Sequence, residues 1–252
     1  VTAGANDSDG SVVSVLAALS HDVEYLVIGA SAFTVGGGDS SVLLDIVIDP
    51  AGGTNWIEFI NDLLVGWSSA YSQLIPVARW FNFPIFIPAG ASVGVRARAA
   101  HSSTVTGEVI IHAYGGNANP ASWWCGQGVE SIGINAAASS GTSISSGASG
   151  SFGSWADLGS PLSRDCGALQ FMAQGQPGVT ASVNVAFIYE LGVGDTRIGS
   201  PIQGTNNTAE SGLATLSGLI FKNIGSGTQL RARGANSSAG AIDFDCAAYA
   251  VY

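Results

Sequence analysis

Residues 88–114 read PAGASVGVRARAAHSSTVTGEVIIHAY, and residues 225–249 read GSGTQLRARGANSSAGAIDFDCAAY. The chain writes one pattern twice. Setting Arg96-Ala97-Arg98 on Arg231-Ala232-Arg233 gives an offset of 231 − 96 = 135, and setting Tyr114 on Tyr249 gives 249 − 114 = 135 again. In a strand, side chains alternate between faces, so Arg96 and Arg98 share one face while Val93, Val95 and Ala97 take the other. Leu230 and Ala232 stand opposite Arg231 and Arg233 in the same way. The strand that follows puts Val109, Ile111 and Ala113 on one face and Glu108, Ile110, His112 and Tyr114 on the other. Its counterpart sets Ile242, Phe244 and Cys246 against Asp243, Asp245 and Tyr249. Each copy is therefore expected to be a β-hairpin with one buried face. Glu108 and Asp243 fall at matching places, so cross-strand charge pairing is the simplest expectation for the arginines.

A repeat of this length in 252 residues implies two similar domains, with boundaries expected at 1–118, a linker at 119–129, and 130–252. Charged residues are only 10 % of the chain against 46 % hydrophobic. Its surface is then mostly Ser, Thr, Asn, Gly and small apolar groups, which cost little to desolvate against a neighbour of the same kind. That composition predicts a protein that assembles with copies of itself. Eight basic residues face 18 acidic ones for a net charge of −10, with Lys222 the single lysine. Phosphate-backbone binding needs clustered cations, so nucleic acid is excluded as a partner. No apolar run reaches the roughly 18–20 residues of a membrane-spanning helix, and the opening VTAGANDSDG lacks the features of a signal peptide. A soluble protein with no membrane partner is the expectation.

The chain opens with residues 1–10, small and polar, which read as an extended arm or a frayed end. Short apolar runs separated by Gly, Ser, Asp or Pro follow, at strand spacing. Residues 56–67, WIEFINDLLVGW, fit a short helix and a strand equally. In WFNFPIFIPAG, 80–90, the prolines mark an edge or a bend. Between the copies, Trp123 and Trp124 suit interdomain packing. Residues 135–151 look like low complexity and read as a loop or an extended strand. Ser163-Arg164-Asp165 stands where Ser20-His21-Asp22 stood in the first copy. From that Asp to the first Arg is 96 − 22 = 74 residues in one copy and 231 − 165 = 66 in the other, a difference of eight placed mid-domain. Two all-β units of about eight short strands each predict tandem jelly-roll-like β-sandwich domains related by internal duplication.

Chemistry is sparse. Gly90-Ala91-Ser92-Val93-Gly94 matches G-x-S-x-G, but that motif works on a strand-to-helix elbow and here it opens a strand. His21 and Asp22 are adjacent, so a strand points them to opposite faces. Asp45, Asp49 and Asp62 could offer oxygens to calcium, yet no D-x-D-x-D-G loop is present. Cys125, Cys166 and Cys246 form neither a C-x-x-C nor a metal spacing; free core thiols fit best, with one disulfide left open. No catalytic, cofactor-binding or metal-binding residues are assigned, and no cofactor is expected. Trp56, Trp67, Trp80, Phe81 and Phe83 could form a sugar-stacking platform, set against the simpler reading of core or subunit interface.

Gly153-Ser154-Trp155, the two Ser-x-Asp segments, and Ile87-Pro88-Ala89-Gly90 leading into Arg96 together resemble small virion structural proteins of tailed bacteriophages. The resemblance implies a non-enzymatic component of a phage particle: a capsid decoration, or a part of the tail, baseplate or fibre. Its partners would be other virion proteins and copies of itself. The acidic balance favours the outer surface over a lining that faces DNA. The alternative is a carbohydrate-binding, lectin-like module in host recognition, with a surface glycan as ligand.

Overall fold

Short alternating runs punctuated by Gly, Ser and Pro produce strands throughout. The computed structural model describes residues 1–34, 40–68, 74–75, 79–102, 105–116, 124–134, 141–175, 185–206, 211–212 and 215–252, and the described residues are all-β. The first half carries β1 (Thr2–Gly4), β2 (Val13–Leu16), β3 (Val23–Thr34), β4 (Ser40–Asp49), β5 (Ile57–Ser68), β6 (Leu74–Ile75), β7 (Arg79–Phe83), β8 (Ser92–Ala99) and β9 (Val105–Gly115). A short β10 (Val129–Ile132) precedes β11 (Thr142–Gly147), β12 (Ala156–Asp157), β13 (Cys166–Gly175), β14 (Val185–Val193), β15 (Thr196–Arg197) and β16 (Ile202–Asn206). The chain closes with β17 (Ser211–Gly212), β18 (Thr215–Leu216), β19 (Ile220–Ile224), β20 (Leu230–Asn236) and β21 (Asp243–Val251).

In the first half one sheet runs β1-β9-β3-β7, with β6 continuing the β7 edge, and the other runs β2-β8-β4-β5. The second half repeats both orders as β11-β21-β13-β19, with β18 continuing the edge, and β12-β20-β14-β16. Each is a jelly roll. Even the stitch between sheets recurs: Ala3 pairs in parallel with Ala97, and Ser146 with Gly234. Residues 1–10 are therefore part of the first roll, held by Asn6, Asp7 and Gly10 N–H bonds to the carbonyls of His101, Ala99 and Ala97.

The hairpin expectation is overturned. Among the described residues no pairing joins β8 to β9. They lie in opposite sheets, β8 between β2 and β4 and β9 between β1 and β3. Alternation identifies a strand's faces but not its neighbour, which is why two strands joined by a short turn mimic a hairpin.

The register of the repeat also changes. Arg96 stands opposite Asp45 and binds it at 3.0 Å, while Arg233 stands opposite Glu190 and binds it at 2.9 Å, so Arg96 matches Arg233 at an offset of 233 − 96 = 137. Gly90 N–H to Leu19 O and Gly227 N–H to Leu162 O agree with it. Both glycines carry positive φ, +88° and +76°, at the same turn, a conformation that L side chains rarely adopt. The Ser-x-Asp equivalence stands, at 165 − 22 = 143. Asp22 accepts the Ala89 N–H and Asp165 the Ser226 N–H, each at 2.7 Å, so these aspartates cap the turn ahead of the arginine strand. The copies thus differ mid-domain by 143 − 137 = 6 residues, not eight. A slip of two leaves every face unchanged, which is why the inward and outward assignments for β8 and β20 hold.

The arginines do not pair with Glu108 or Asp243. Arg96 binds Asp9, Asp45 and Glu58; Arg98 binds Asp62 and lies 3.6 Å from Asp7; Arg231 binds Asp157 and Asp195; Arg233 binds Glu190. Their partners come from the adjacent strands, from β5 one strand further across the same sheet, from the turn after β14, and from the segment that carries Asp7 and Asp9. Residues 57–68 form a strand and no helix: register shifts near Leu43 and Ile46, and a φ of +60° at Asp62, break strict alternation. Leu63 and Leu64 are buried side by side, which imitates helical spacing.

Two apolar cores result, and β21 serves both. Ala247, Tyr249 and Val251 pack into the first, Phe244, Cys246, Ala248 and Ala250 into the second. β13 divides likewise, with Ala168 and Met172 on one side and Leu169, Phe171 and Ala173 on the other. Covered on both faces, β21 reads as a nearly continuous apolar run. Its outer face closes the gap between β5 and β7. The Tyr249 ring meets Phe81 and Phe83 edge-on, and its hydroxyl accepts the Leu64 N–H at 2.8 Å. β10 joins β5 in parallel through Val129 and Ile60, so a sheet of the first roll continues into a sheet of the second.

Candidate functional site

Tyr249 is buried, yet its counterpart at the 137-residue offset, His112, is exposed. The outer face of β7-β3-β9 is the first roll's version of the surface that the second roll buries. Alternation in β9 turns Val109, Ile111 and Ala113 inward and leaves Ile110, His112 and Tyr114 outside, as the sequence pattern implied. Ile110 is 50 %, Tyr114 56 % and Trp80 42 % exposed. Trp80 stacks on His112 with ring centroids 6.0 Å apart, and His112 on Tyr114 at 6.3 Å, both at 29° between planes. The row is possible because the Trp80 indole crosses β3 at Gly29; a Cβ there would lie 2.6 Å from the ring.

Beside the row lies a cleft of about 490 Å³ lined by Glu24, Tyr25, Val27, Pro84, Tyr114 and Trp124, among others. Trp124 comes from the segment between the rolls. It packs over Gly167 of β13 and remains 46 % exposed, so it bridges the two halves as interdomain packing requires. That segment is held along Pro84–Phe86 by Gly126 N–H to Pro84 O and Phe86 N–H to Gly126 O. Cys125 donates its thiol to the Glu24 carbonyl at 3.2 Å, and burial, then Glu24, push its pKa up. Burial also raises the Tyr25 hydroxyl. Glu24 is the one carboxylate among the described residues lining the cleft. The arrangement offers apolar and aromatic contact area with a few polar groups at its rim.

The sugar platform assembled from Trp56, Trp67, Trp80, Phe81 and Phe83 does not form. Phe81 and Phe83 are core residues, Trp56 is half-buried, and the Trp67 side chain lies outside the described residues, as does Trp123. Of those whose side chains are described, only Trp80 reaches the surface cluster, joined by Tyr25, Tyr114 and Trp124. Tyr114 was legible from its place in the alternation; Tyr25 and Trp124 are brought in by tertiary contacts that no local pattern encodes.

Ser92 is buried in β8 opposite Asp49, not on an elbow. His21 meets Ser20 Oγ at 3.0 Å while Asp22 is engaged by Ala89, so no dyad forms. Asp45 and Asp62 are turned to arginines, and Asp49 accepts the Ala51 and Asn55 N–H groups at 2.9 and 2.7 Å. Among the described residues no cluster of three or more His, Cys, Asp or Glu is arranged to hold a metal. Cys125, Cys166 and Cys246 are free thiols, the latter two buried in the second core.

No family model matches the chain, and no curated protein does. Among solved structures, PNGF-II in a P21 crystal form aligns at a TM-score of 0.38 with 8 % identity, covering 95 % of this chain and 59 % of that one. The chain thus spans less than two thirds of the PNGF-II chain. The tandem CBM22-1-CBM22-2 domains of Paenibacillus barcinonensis Xyn10C align at 0.27 with 12 % identity, covering 95 % and 82 %. The infectious bursal disease virus VP2 subviral particle protein aligns at 0.27 with 10 % identity, covering 94 % and 58 %. At these scores the likenesses carry no functional weight, and what the chain itself establishes is a tandem of two jelly rolls.

Proposed function

We propose that the chain is a non-enzymatic structural protein of a bacteriophage virion, on the outer surface of the particle as a capsid decoration or a tail, baseplate or fibre component, acting through subunit interfaces. The observation that carries this reading is the outer face of β7-β3-β9. Trp80, Ile110 and Tyr114 stand exposed on a sheet whose duplicated counterpart is buried inside the same chain. Exposed apolar area of this kind marks interaction sites. The phage assignment rests on the sequence resemblance, and placement on the outside rests on the net charge of −10. Light scattering across a dilution series, with cryo-electron microscopy of the source particle, tests it. Stable oligomers or regular density on the particle are expected; a persistent monomer found on no particle sinks the reading.

A second reading, a carbohydrate-binding module in host recognition, is favoured by the cleft that Tyr25, Tyr114 and Trp124 line, since aromatic faces take apolar sugar faces. A glycan array tests it. Binding that disappears in Trp80→Ala and Trp124→Ala would support it, and no binding by the intact chain would end it.

A further inference from the structure

Duplication gives each roll the same two surfaces, and the chain uses only one pair. The outer face of the second roll, through Gln170, Met172, Ala247, Tyr249 and Val251, covers the gap between β5 and β7 of the first. Along that gap Tyr249 binds Leu64, and Gln170 Oε1 accepts the Asn82 N–H at 3.3 Å. Among the described residues the complementary pair makes no such contact. The outer face of the first roll is exposed at Trp80, Ile110 and Tyr114. In the second roll, β16 and β19 stand where β5 and β7 stand in the first, and beside them lies an open recess of about 510 Å³ lined by Ile198–Ser200 and Ser217–Lys222. Phe221 at its rim is 67 % exposed.

We propose that these two surfaces meet between molecules: the outer face of the first roll of one copy docks on the β16–β19 side of the second roll of another. The operation relating the two rolls within a chain is thereby applied once more. The occupant is a second copy because the contact continues an interface that the chain already makes with itself, with His112 taking the place of Tyr249. Charge agrees: Glu24 lines the cleft beside the face and Glu108 is exposed on β9, while the exposed Lys222, the single lysine of the chain, lines the recess beside Arg197, which is paired with Glu190 at 3.0 Å. Such a contact is heterologous, so it generates a closed ring, or an open filament where the rotation does not close. The inference rests on the assembly reading above and names its surface.

Two variants test it, each at exposed positions: Ile110→Arg on the face, and Phe221→Asp with Lys222→Glu at the recess. Unchanged circular dichroism and melting temperature establish that both fold. The native chain is expected to scatter as a multiple of 25.4 kDa and each variant alone as 25.4 kDa. Mixing the two variants then restores one intact contact and gives a capped 1:1 dimer, which neither variant forms alone. If both variants stay oligomeric, the interface lies elsewhere; this inference falls and the assembly reading survives. If Ile110→Arg dissociates while the recess variant stays dimeric, the face pairs with itself and the head-to-tail contact is wrong. A native chain that is monomeric at every concentration overturns the inference, and if it is also found on no particle, the assembly reading falls with it.

Discussion

Tyr249→Phe isolates one hydroxyl at the junction of the two rolls. That hydroxyl accepts the Leu64 N–H at 2.8 Å and donates to the Asp62 carbonyl at 3.3 Å, and the side chain is fully buried. Removing it leaves a buried amide without its acceptor, at a cost of about 1–3 kcal/mol. For a chain of this size that lowers the melting temperature by roughly 4–8 °C for a 2 kcal/mol loss. Tyr249→Ala also deletes the ring that meets Phe81 and Phe83 at 5.7 and 6.3 Å, raising the loss to about 3–5 kcal/mol or more. Because β21 lines both cores, the native chain is expected to unfold in one transition. Tyr249→Ala should split it, with tryptophan fluorescence and circular dichroism reporting different midpoints in urea. His112→Ala, at the equivalent position of the first roll, should stay within about 0.5 kcal/mol of the native value. Equal losses at the two positions, or a Tyr249→Phe variant as stable as the native chain, would refute the seating of the second roll on the first through this residue.

Asp45→Ala and Glu58→Ala remove two partners of the same arginine whose side chains are 5 % and 56 % exposed. Urea titration should find the first costing about 3 kcal/mol, as for breaking a buried pair, and the second under about 1 kcal/mol, as for a surface pair. Cys125 is half-buried while Cys166 and Cys246 are buried. A thiol reagent at pH 8 should accordingly label one cysteine in the native chain and three after unfolding, and two rapidly labelled thiols in the native state would contradict the core assignment. Burial pushes the Cys166 thiol up from 9.0 to about 11. Across that window the unfolded chain binds fewer protons than the folded one, so stability is level below pH 9 and falls as pH rises toward 11. Melts from pH 8 to 11 should show this fall, and Cys166→Ala should shallow it; an unchanged slope would mean that other groups set it.

The faces of β8, β9 and β20 were legible because strand periodicity is local: Val93, Val95 and Ala97 face inward, and Ile110, His112 and Tyr114 outward, as their spacing implies. The pairing of those strands was not, since a jelly roll separates consecutive strands into opposite sheets and local alternation carries no record of the neighbour. The two-residue slip in the repeat has a related cause. Arg-x-Arg recurs at 96–98 and 231–233, but the conserved element is a single ion pair, Asp45 with Arg96 and Glu190 with Arg233, whose acids lie about fifty residues upstream in one copy and forty in the other. Of the exposed cluster, Trp80 and Tyr114 could be named from sequence. Tyr25 and Trp124 could not, because a backbone irregularity after Val23 and the path of the inter-roll segment place them.

Divergence between the duplicated faces is the strongest physical indication of what each does. In the second roll the positions matching Tyr25, Val27, Ile110 and Tyr114 are Ala168, Gln170, Ala247 and Val251, which are smaller or more polar. Such a face lies flat against the first roll and commits one tall residue, Tyr249, to the gap. The first roll instead keeps Ile110 and Tyr114 large and adds the Trp80 indole over Gly29, although none of these side chains lies in its own core. Burying such a side chain is worth about 1.5–3 kcal/mol, and here folding leaves much of that unrealised. Covering the face would recover it. That unrealised burial at Trp80, Ile110 and Tyr114 is the physical ground for the contact proposed above.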